Sequence, residues 1–225
     1  MGRCPKDRWD LKRFPLSREQ KMKIKSAEFV VSNSEVAKCP KDNLPEYAFI
    51  GRSNVGKSSL INMLTDKKSL AKISGRPGKT QLINHFIINS NWYLVDLPGY
   101  GYARVSKSSK KKFQKFITDY FEQRAQLVSA FVLVDIRHKP QPIDLEFMQY
   151  MGESEIPFGI IFTKADKLKP AAIDRHVNDY NEVLLKTWEE LPQYFVTSSS
   201  KSIGKDNLLE FIGSTNEEME QLKAE

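Results

Sequence analysis

Tyr47-Ala48-Phe49-Ile50-Gly51-Arg52-Ser53-Asn54-Val55-Gly56-Lys57-Ser58 is an apolar run that opens into a glycine-bounded loop and closes on Lys-Ser. Its last eight residues fit GxxxxGK[ST], and a helix-like stretch, residues 57–64, follows directly. A strand, a tight loop and a helix in that order make a phosphate cradle. Gly51 and Gly56 permit the loop, successive backbone N–H groups face the anion, and the helix N-terminus adds positive potential. Lys57 then reaches the terminal phosphates, and Ser58 offers its hydroxyl to Mg²⁺. A glycine loop with no ligand is the plain alternative, but it does not require this lysine and serine.

Outward from that loop, strand-like and helix-like segments alternate. The pattern predicts strands at 27–31, 47–50, 82–88, 92–95, 130–134, 158–162 and 194–197. It predicts helices at 57–64, 108–124, 142–151, 171–188 and 205–223. Such alternation implies an α/β fold with a mostly parallel sheet and helices on both faces. Only Asn89-Ser90-Asn91 separates the third and fourth strands, too little for a crossover helix, so those two form one antiparallel hairpin and the sheet is mixed.

The chain has 225 residues, 40% hydrophobic and 28% charged, which supports one substantial domain and excludes a wholly disordered or collagen-like chain. No run approaches the length and apolarity of a membrane span, and residues 1–11 lack a secretory apolar segment, so a cytoplasmic protein without membrane contact is expected. Cys4 and Cys39 build neither a disulfide framework nor a metal site. The net charge is +7, yet residues 1–22 hold seven basic and three acidic side chains and so carry more than half of the surplus. Those residues read as a basic arm without order or as an extension ahead of a native start at Met22. The domain itself spans residues 23–225, and its mild basicity is weak evidence for nucleic acid.

A phosphate loop leaves ATPase, kinase and GTPase open, and two further motifs choose among them. Asp96-Leu97-Pro98-Gly99 follows the fourth strand as DxxG, where the carboxylate can hold a Mg²⁺-bound water and the glycine amide can bond a γ-phosphate. Thr163-Lys164-Ala165-Asp166 follows the sixth strand as TKxD. Its Asp166 carboxylate can accept two hydrogen bonds from the ring N–H and exocyclic amine of guanine, a donor pair that adenine lacks. Lys164 can lie along the base plane. Each motif alone is a turn between strand and helix; in this order, each at a strand end, they specify a guanine nucleotide. Thr80, in Gly75-Arg76-Pro77-Gly78-Lys79-Thr80, lies where a loop could bring its hydroxyl onto Mg²⁺. Thr197-Ser198-Ser199 follows the last strand, where backbone approaches the guanine oxygen; the plain reading is a helix-capping run.

These segments closely resemble the EngB family of bacterial GTPases, also called YihA or YsxC, in the Era-like branch. The resemblance rests on GRSNVGKSSLIN (Gly51 to Asn62), GRPGKTQ (Gly75 to Gln81), DLPGYGYA (Asp96 to Ala103), TKAD (Thr163 to Asp166) and the late serines. It runs from about Lys23 to the C-terminus. It implies a G domain binding GTP and GDP with Mg²⁺, slow hydrolysis of GTP, a monomer, and a role in maturation of the large ribosomal subunit, with a link to cell division and septation. The candidate nucleotide contacts are Gly51, Arg52, Ser53, Asn54, Val55, Gly56, Lys57 and Ser58. With them stand Gly78, Lys79, Thr80, Gln81 and Leu82, then Asp96, Leu97, Pro98 and Gly99. Thr163, Lys164, Ala165, Asp166, Thr197, Ser198 and Ser199 complete the set. Lys57, Thr80, Asp96 and Gly99 are the candidate catalytic residues, and Ser58 and Thr80 the candidate metal ligands.

The position after DxxG, where a GTPase often carries a water-orienting Gln, holds Tyr100. Hydrolysis then rests on positioning and charge neutralisation, and the intrinsic rate is expected to be slow. Asn54 stands where related GTPases help bind K⁺, which could serve as an arginine finger does; an Asn that only stabilises the loop is the alternative. Arg104, Lys107, Lys110, Lys111, Lys112 and Lys115 interleave with Phe113 and Phe116. They form either a contact for ribosomal RNA or a solvated helix face over two core rings. Two other readings stay open: a signalling or cytoskeletal GTPase with a protein partner, and a P-loop kinase or ATPase.

Overall fold

The computed structural model describes residues 22–72, 82–100 and 107–224. Seven strands among them form one sheet: β1 (Ala27–Asn33), β2 (Glu46–Gly51), β3 (Ile83–Ile88), β4 (Trp92–Asp96), β5 (Leu127–Asp135), β6 (Phe158–Thr163) and β7 (Tyr194–Val196). Their spatial order is β1-β3-β4-β2-β5-β6-β7. The five from β4 to β7 run parallel. The expected hairpin is β3 with β4, turned by Asn89 and Ser90 at positive φ. β1, whose partner the sequence left unassigned, joins antiparallel to β3 and closes that edge. Five helices cover the sheet: α1 (Lys57–Leu64), α2 (Lys107–Gln123), α3 (Pro142–Glu153), α4 (Pro170–Leu184) and α5 (Lys205–Ala224). Boundaries differ from expectation by up to four residues: Asp96 and Thr163 extend their strands, and α4 starts on Pro170, whose missing N–H costs nothing in a first turn.

Central strands bury both faces, and their side chains alternate between two cores. Ala48, Ile50, Val95, Val132 and Val134 join the layer under α2, α3 and α4. Tyr47, Phe49, Leu94, Phe131 and Leu133 join the layer under α1 and α5. This is why β2 and β5 read as continuous apolar runs rather than alternating ones. Met22, placed by the sequence at the end of the arm, packs with Ile24 against the second layer.

Deep at the base of the sheet, Glu46 is fully buried. It accepts hydrogen bonds from the Tyr120 hydroxyl at 2.9 Å and the Arg124 guanidinium (Nε at 3.1 Å), and faces His85 Nε2 at 3.2 Å. Burial alone would raise this carboxyl, but the bonds to His85 and Arg124 outweigh it and hold it below the ordinary carboxylate value. The cluster fixes the C-terminal end of α2 to β2. It leaves the opposite, carboxyl ends of the parallel strands to form the crevice where open α/β sheets bind ligands.

Candidate functional site

β2 delivers Gly51 to the crevice, and the chain turns through Arg52–Gly56 into α1. Val55 N–H bonds the Arg52 carbonyl at 3.2 Å, and the Val55 side chain is buried in the core, anchoring the loop from below. Asn54 (φ 65°) and Gly56 (φ 108°) take left-handed conformations; the second suits glycine. The N–H groups at the start of α1 have no partner within the helix and lie at its positive end, as an anion requires. Ser58 is half-buried in the first turn of α1.

β4 delivers Asp96 beside this loop. The Lys57 ammonium bonds Asp96 Oδ1, and Asn84 Nδ2 lies 3.4 Å from the other carboxylate oxygen. Burial pulls Lys57 down to about 7, while the carboxylate against it acts in the opposite direction. A polyphosphate between them would take over the role of Asp96 as counter-charge. Leu97 N–H bonds the Phe49 carbonyl at 3.0 Å, which lays the start of DxxG alongside β2. Pro98 is buried, and Gly99 meets the phosphate loop so closely that a Cβ there would stand 2.6 Å from the Gly51 carbonyl oxygen. Tyr100 then turns away: its hydroxyl donates to Asp144 of α3 at 2.9 Å and its ring stacks on Phe147 at 4.4 Å. Arg52 reaches the same carboxylate, its Nε 3.0 and 3.1 Å from the two oxygens.

The base-binding side is a ladder of ties. Thr163 Oγ1 lies 2.7 Å from the Val55 carbonyl and 3.1 Å from that of Val134, clipping TKxD to the phosphate loop and to β5. Lys164 (φ 63°) donates to the Asn54 carbonyl at 2.7 Å and pairs with Asp135 at 2.9 Å. Burial opposes ionisation of Asp135, yet the bonds from Arg137 and Lys164 prevail and hold it far below the usual value. Ala165 N–H bonds the Thr197 carbonyl at 3.0 Å. Ser198, fully buried, exchanges backbone bonds with Ile203 at 3.1 Å and donates its hydroxyl to Asp166 Oδ1 at 2.7 Å. That bond, with Lys167 beside the second oxygen at 3.1 Å, brings the Asp166 carboxyl down to about 2, so it is an acceptor at neutral pH. A cavity of about 520 Å³ opens here, lined by Gly56, Ser59, Lys164, Asp166 and Ser199, a volume ample for a purine base.

A carboxylate poised to accept two hydrogen bonds, joined by one threonine to a phosphate loop, is a guanine-nucleotide geometry. The sequence family described as 50S ribosome-binding GTPase matches residues 46–164. The chain is 70% identical over 199 residues to the probable GTP-binding protein EngB of Flavobacterium johnsoniae, covering 88% of this chain and 95% of that protein. The chain belongs to the EngB family of GTP-binding proteins. The Christiangramia forsetii EngB is 67% identical over 195 residues, covering 87% of this chain and 98% of its own length. A crystal structure of a probable GTP-binding protein EngB superposes with a TM-score of 0.61 at 28% identity, covering 77% of this chain and 99% of that one. As an EngB protein the chain is a P-loop GTPase, converting GTP to GDP and phosphate.

Of the candidates, Gly51 to Ser58, Asp96 to Gly99, Thr163 to Asp166 and Thr197 to Ser199 converge on one crevice. Leu82 is 38% exposed just before β3. Gly78, Lys79, Thr80 and Gln81 lie outside the described residues, as do Arg104 and the side chains of Lys107, Lys110, Lys111, Lys112 and Phe113. On α2, Phe116 is half-buried against the core and exposed Lys115 pairs with Asp119 at 2.8 Å. The EngB motifs did not point to Asn84, Asp135 or Asp144. Their signal was single polar residues, at or near strand ends and in a helix's first turn. Among the described residues no group of three His, Cys, Asp or Glu side chains could hold a metal ion, and no helix is long and apolar enough to cross a membrane. The Ser58 hydroxyl and Asp96 carboxylate fit the hard oxygen donors that Mg²⁺ takes beside substrate phosphates.

Proposed function

We propose that this GTPase is a cytoplasmic, monomeric nucleotide switch acting in assembly of the large ribosomal subunit, with an effect on cell division through that role. The observation that carries the partner is the match of residues 46–164 to a family described as 50S ribosome-binding GTPase. Gly51 to Ser58 wrap the phosphates and Lys57 neutralises the terminal ones; Ser58 and Thr80 would hold Mg²⁺, which would supply further charge neutralisation. Asp96 and Gly99 read the γ-phosphate. Asp166 reads guanine, supported on its far oxygen by Lys167 and from behind by Ser198. Because Tyr100, the residue after DxxG, is engaged by Asp144, it does not orient the attacking water, and turnover without a partner is slow. Exposed Asn54 would hold a K⁺ ion, which would supply charge in place of an arginine finger, so exchanging K⁺ for Na⁺ should lower the rate.

Sedimentation with purified large ribosomal subunits tests the partner. Binding with a non-hydrolysable GTP analogue but not with GDP, weakening steeply with salt, is expected. Guanine binding without subunit binding in either state would transfer the switch to a protein partner, as in signalling or cytoskeletal GTPases.

A further inference from the structure

Asp144 belongs to none of the nucleotide motifs, yet it is fully buried and joins two of them. From the first turn of α3 its carboxylate takes the Tyr100 hydroxyl at 2.9 Å and the Arg52 guanidinium at 3.0 and 3.1 Å. Arg52 is the second residue of the phosphate loop, and Tyr100 is the residue after DxxG. The aromatic stack of Tyr100 on Phe147, also on α3, adds a second attachment at 4.4 Å. Between these two tethers lies Gly99, seated on the Gly51 carbonyl and 3.3 Å from Ser53 N by the position a Cβ would take. A glycine amide can meet a γ-phosphate only from a loop lying against the backbone that wraps the phosphates. We propose that Asp144 is a positioning residue of the switch: by holding Tyr100 and Arg52 on one carboxylate, it keeps DxxG docked on the phosphate loop and favours the triphosphate over the diphosphate.

The bias follows from linkage. A contact formed only in the docked arrangement raises affinity for the ligand that needs that arrangement, and leaves the other ligand nearly unaffected. A hydrogen bond to a buried carboxylate is strong enough to shift that balance about ten-fold. The same bond turns the phenol away from the phosphates, so Tyr100 is held for docking rather than for water activation.

The test uses the full chain and its affinities for GDP and a non-hydrolysable GTP analogue, by calorimetry with Mg²⁺. Tyr100→Phe removes one hydroxyl and keeps the stack on Phe147. It should lower the preference for the analogue about five- to ten-fold while the GDP affinity stays within about two-fold. Asp144→Ala, which removes the acceptor of both Tyr100 and Arg52, should act in the same direction, and adding Tyr100→Phe to it should change nothing further, since that hydroxyl has already lost its acceptor. An unchanged preference in Tyr100→Phe, equal losses for both nucleotides, or additive effects would overturn the role. The proposal rests on guanine-nucleotide binding, which the wild-type GDP titration reports separately: no GDP binding there would overturn both.

Discussion

The two ends of the nucleotide crevice are built differently. At the base end, TKxD is tied to its surroundings by backbone bonds and buried hydroxyls: Thr163 to Val55 and Val134, Ala165 to Thr197, Ser198 to Ile203 and Asp166. None of these bonds is one that a nucleotide would have to displace. At the γ-phosphate end, Leu97 N–H bonds the Phe49 carbonyl, and side chains on either side of it hold the segment, Asp96 on Lys57 and Tyr100 on Asp144. A phosphate must compete with the first of these. On the proposed reading base recognition is pre-formed and phosphate sensing is conditional, the division a switch needs, since both nucleotide states share guanine and differ in one phosphate.

The largest effect that can break this comparison is at the base. Asp166→Asn exchanges an acceptor for a donor opposite the guanine N–H, and should move selectivity from guanine toward xanthine diphosphate by about a thousand-fold. Competition binding with the two diphosphates measures it, and unchanged selectivity would remove Asp166 from its role. Lys57→Ala should weaken GDP about a hundred-fold by removing a charge-assisted contact. That variant also frees Asp96, so hydrogen exchange over 96–100 should rise without nucleotide while 163–166 stays protected. Thr163→Val leaves the Val55 and Val134 carbonyls without their hydroxyl partner and should cost about 1–3 kcal/mol in chemical denaturation. Loss of the clip should loosen the phosphate loop more than β6.

The smallest effect is the absence of one. Asp166 is held at about 2, below its ordinary value, so its contribution is complete above about pH 4 and fades only as pH falls toward 2. The preference for GDP over inosine diphosphate should therefore be flat from pH 8 down to about pH 4, where an ordinary carboxyl would be about half protonated. A preference that falls within this range would mean that the carboxyl titrates near its ordinary value and that the Ser198 and Lys167 contacts do not hold it.

The loops that meet in the crevice were legible because each has its own local signature at the end of an apolar run: Gly51 to Ser58 after β2, Asp96 to Gly99 after β4, Thr163 to Asp166 after β6. The hairpin followed from a three-residue gap. What the sequence hid was long-range. β1 is amphipathic enough to be seen but carries no code for its neighbour, because register is set by the packed face and not by the strand alone. Asp144 is 92 residues from Arg52, and a lone acid after proline in a helix's first turn looks like an ordinary dipole partner. Asn84, within Ile83-Asn84-His85-Phe86, looked like an ordinary pleat position, and only the pairing with β4 puts it beside Asp96. Glu46 fell outside the expected strand because a charge at the head of an apolar run marks a boundary unless partners such as Tyr120 and Arg124, remote in sequence, bury it.

Hydrogen exchange of the full chain in its GDP and GTP-analogue states tests the division most directly. The account predicts that protection over residues 96–100 rises when the analogue replaces GDP, while 163–166 and 197–200 exchange identically in the two states. Equal exchange everywhere, or changes as large at the base end as at the γ-phosphate end, would contradict it.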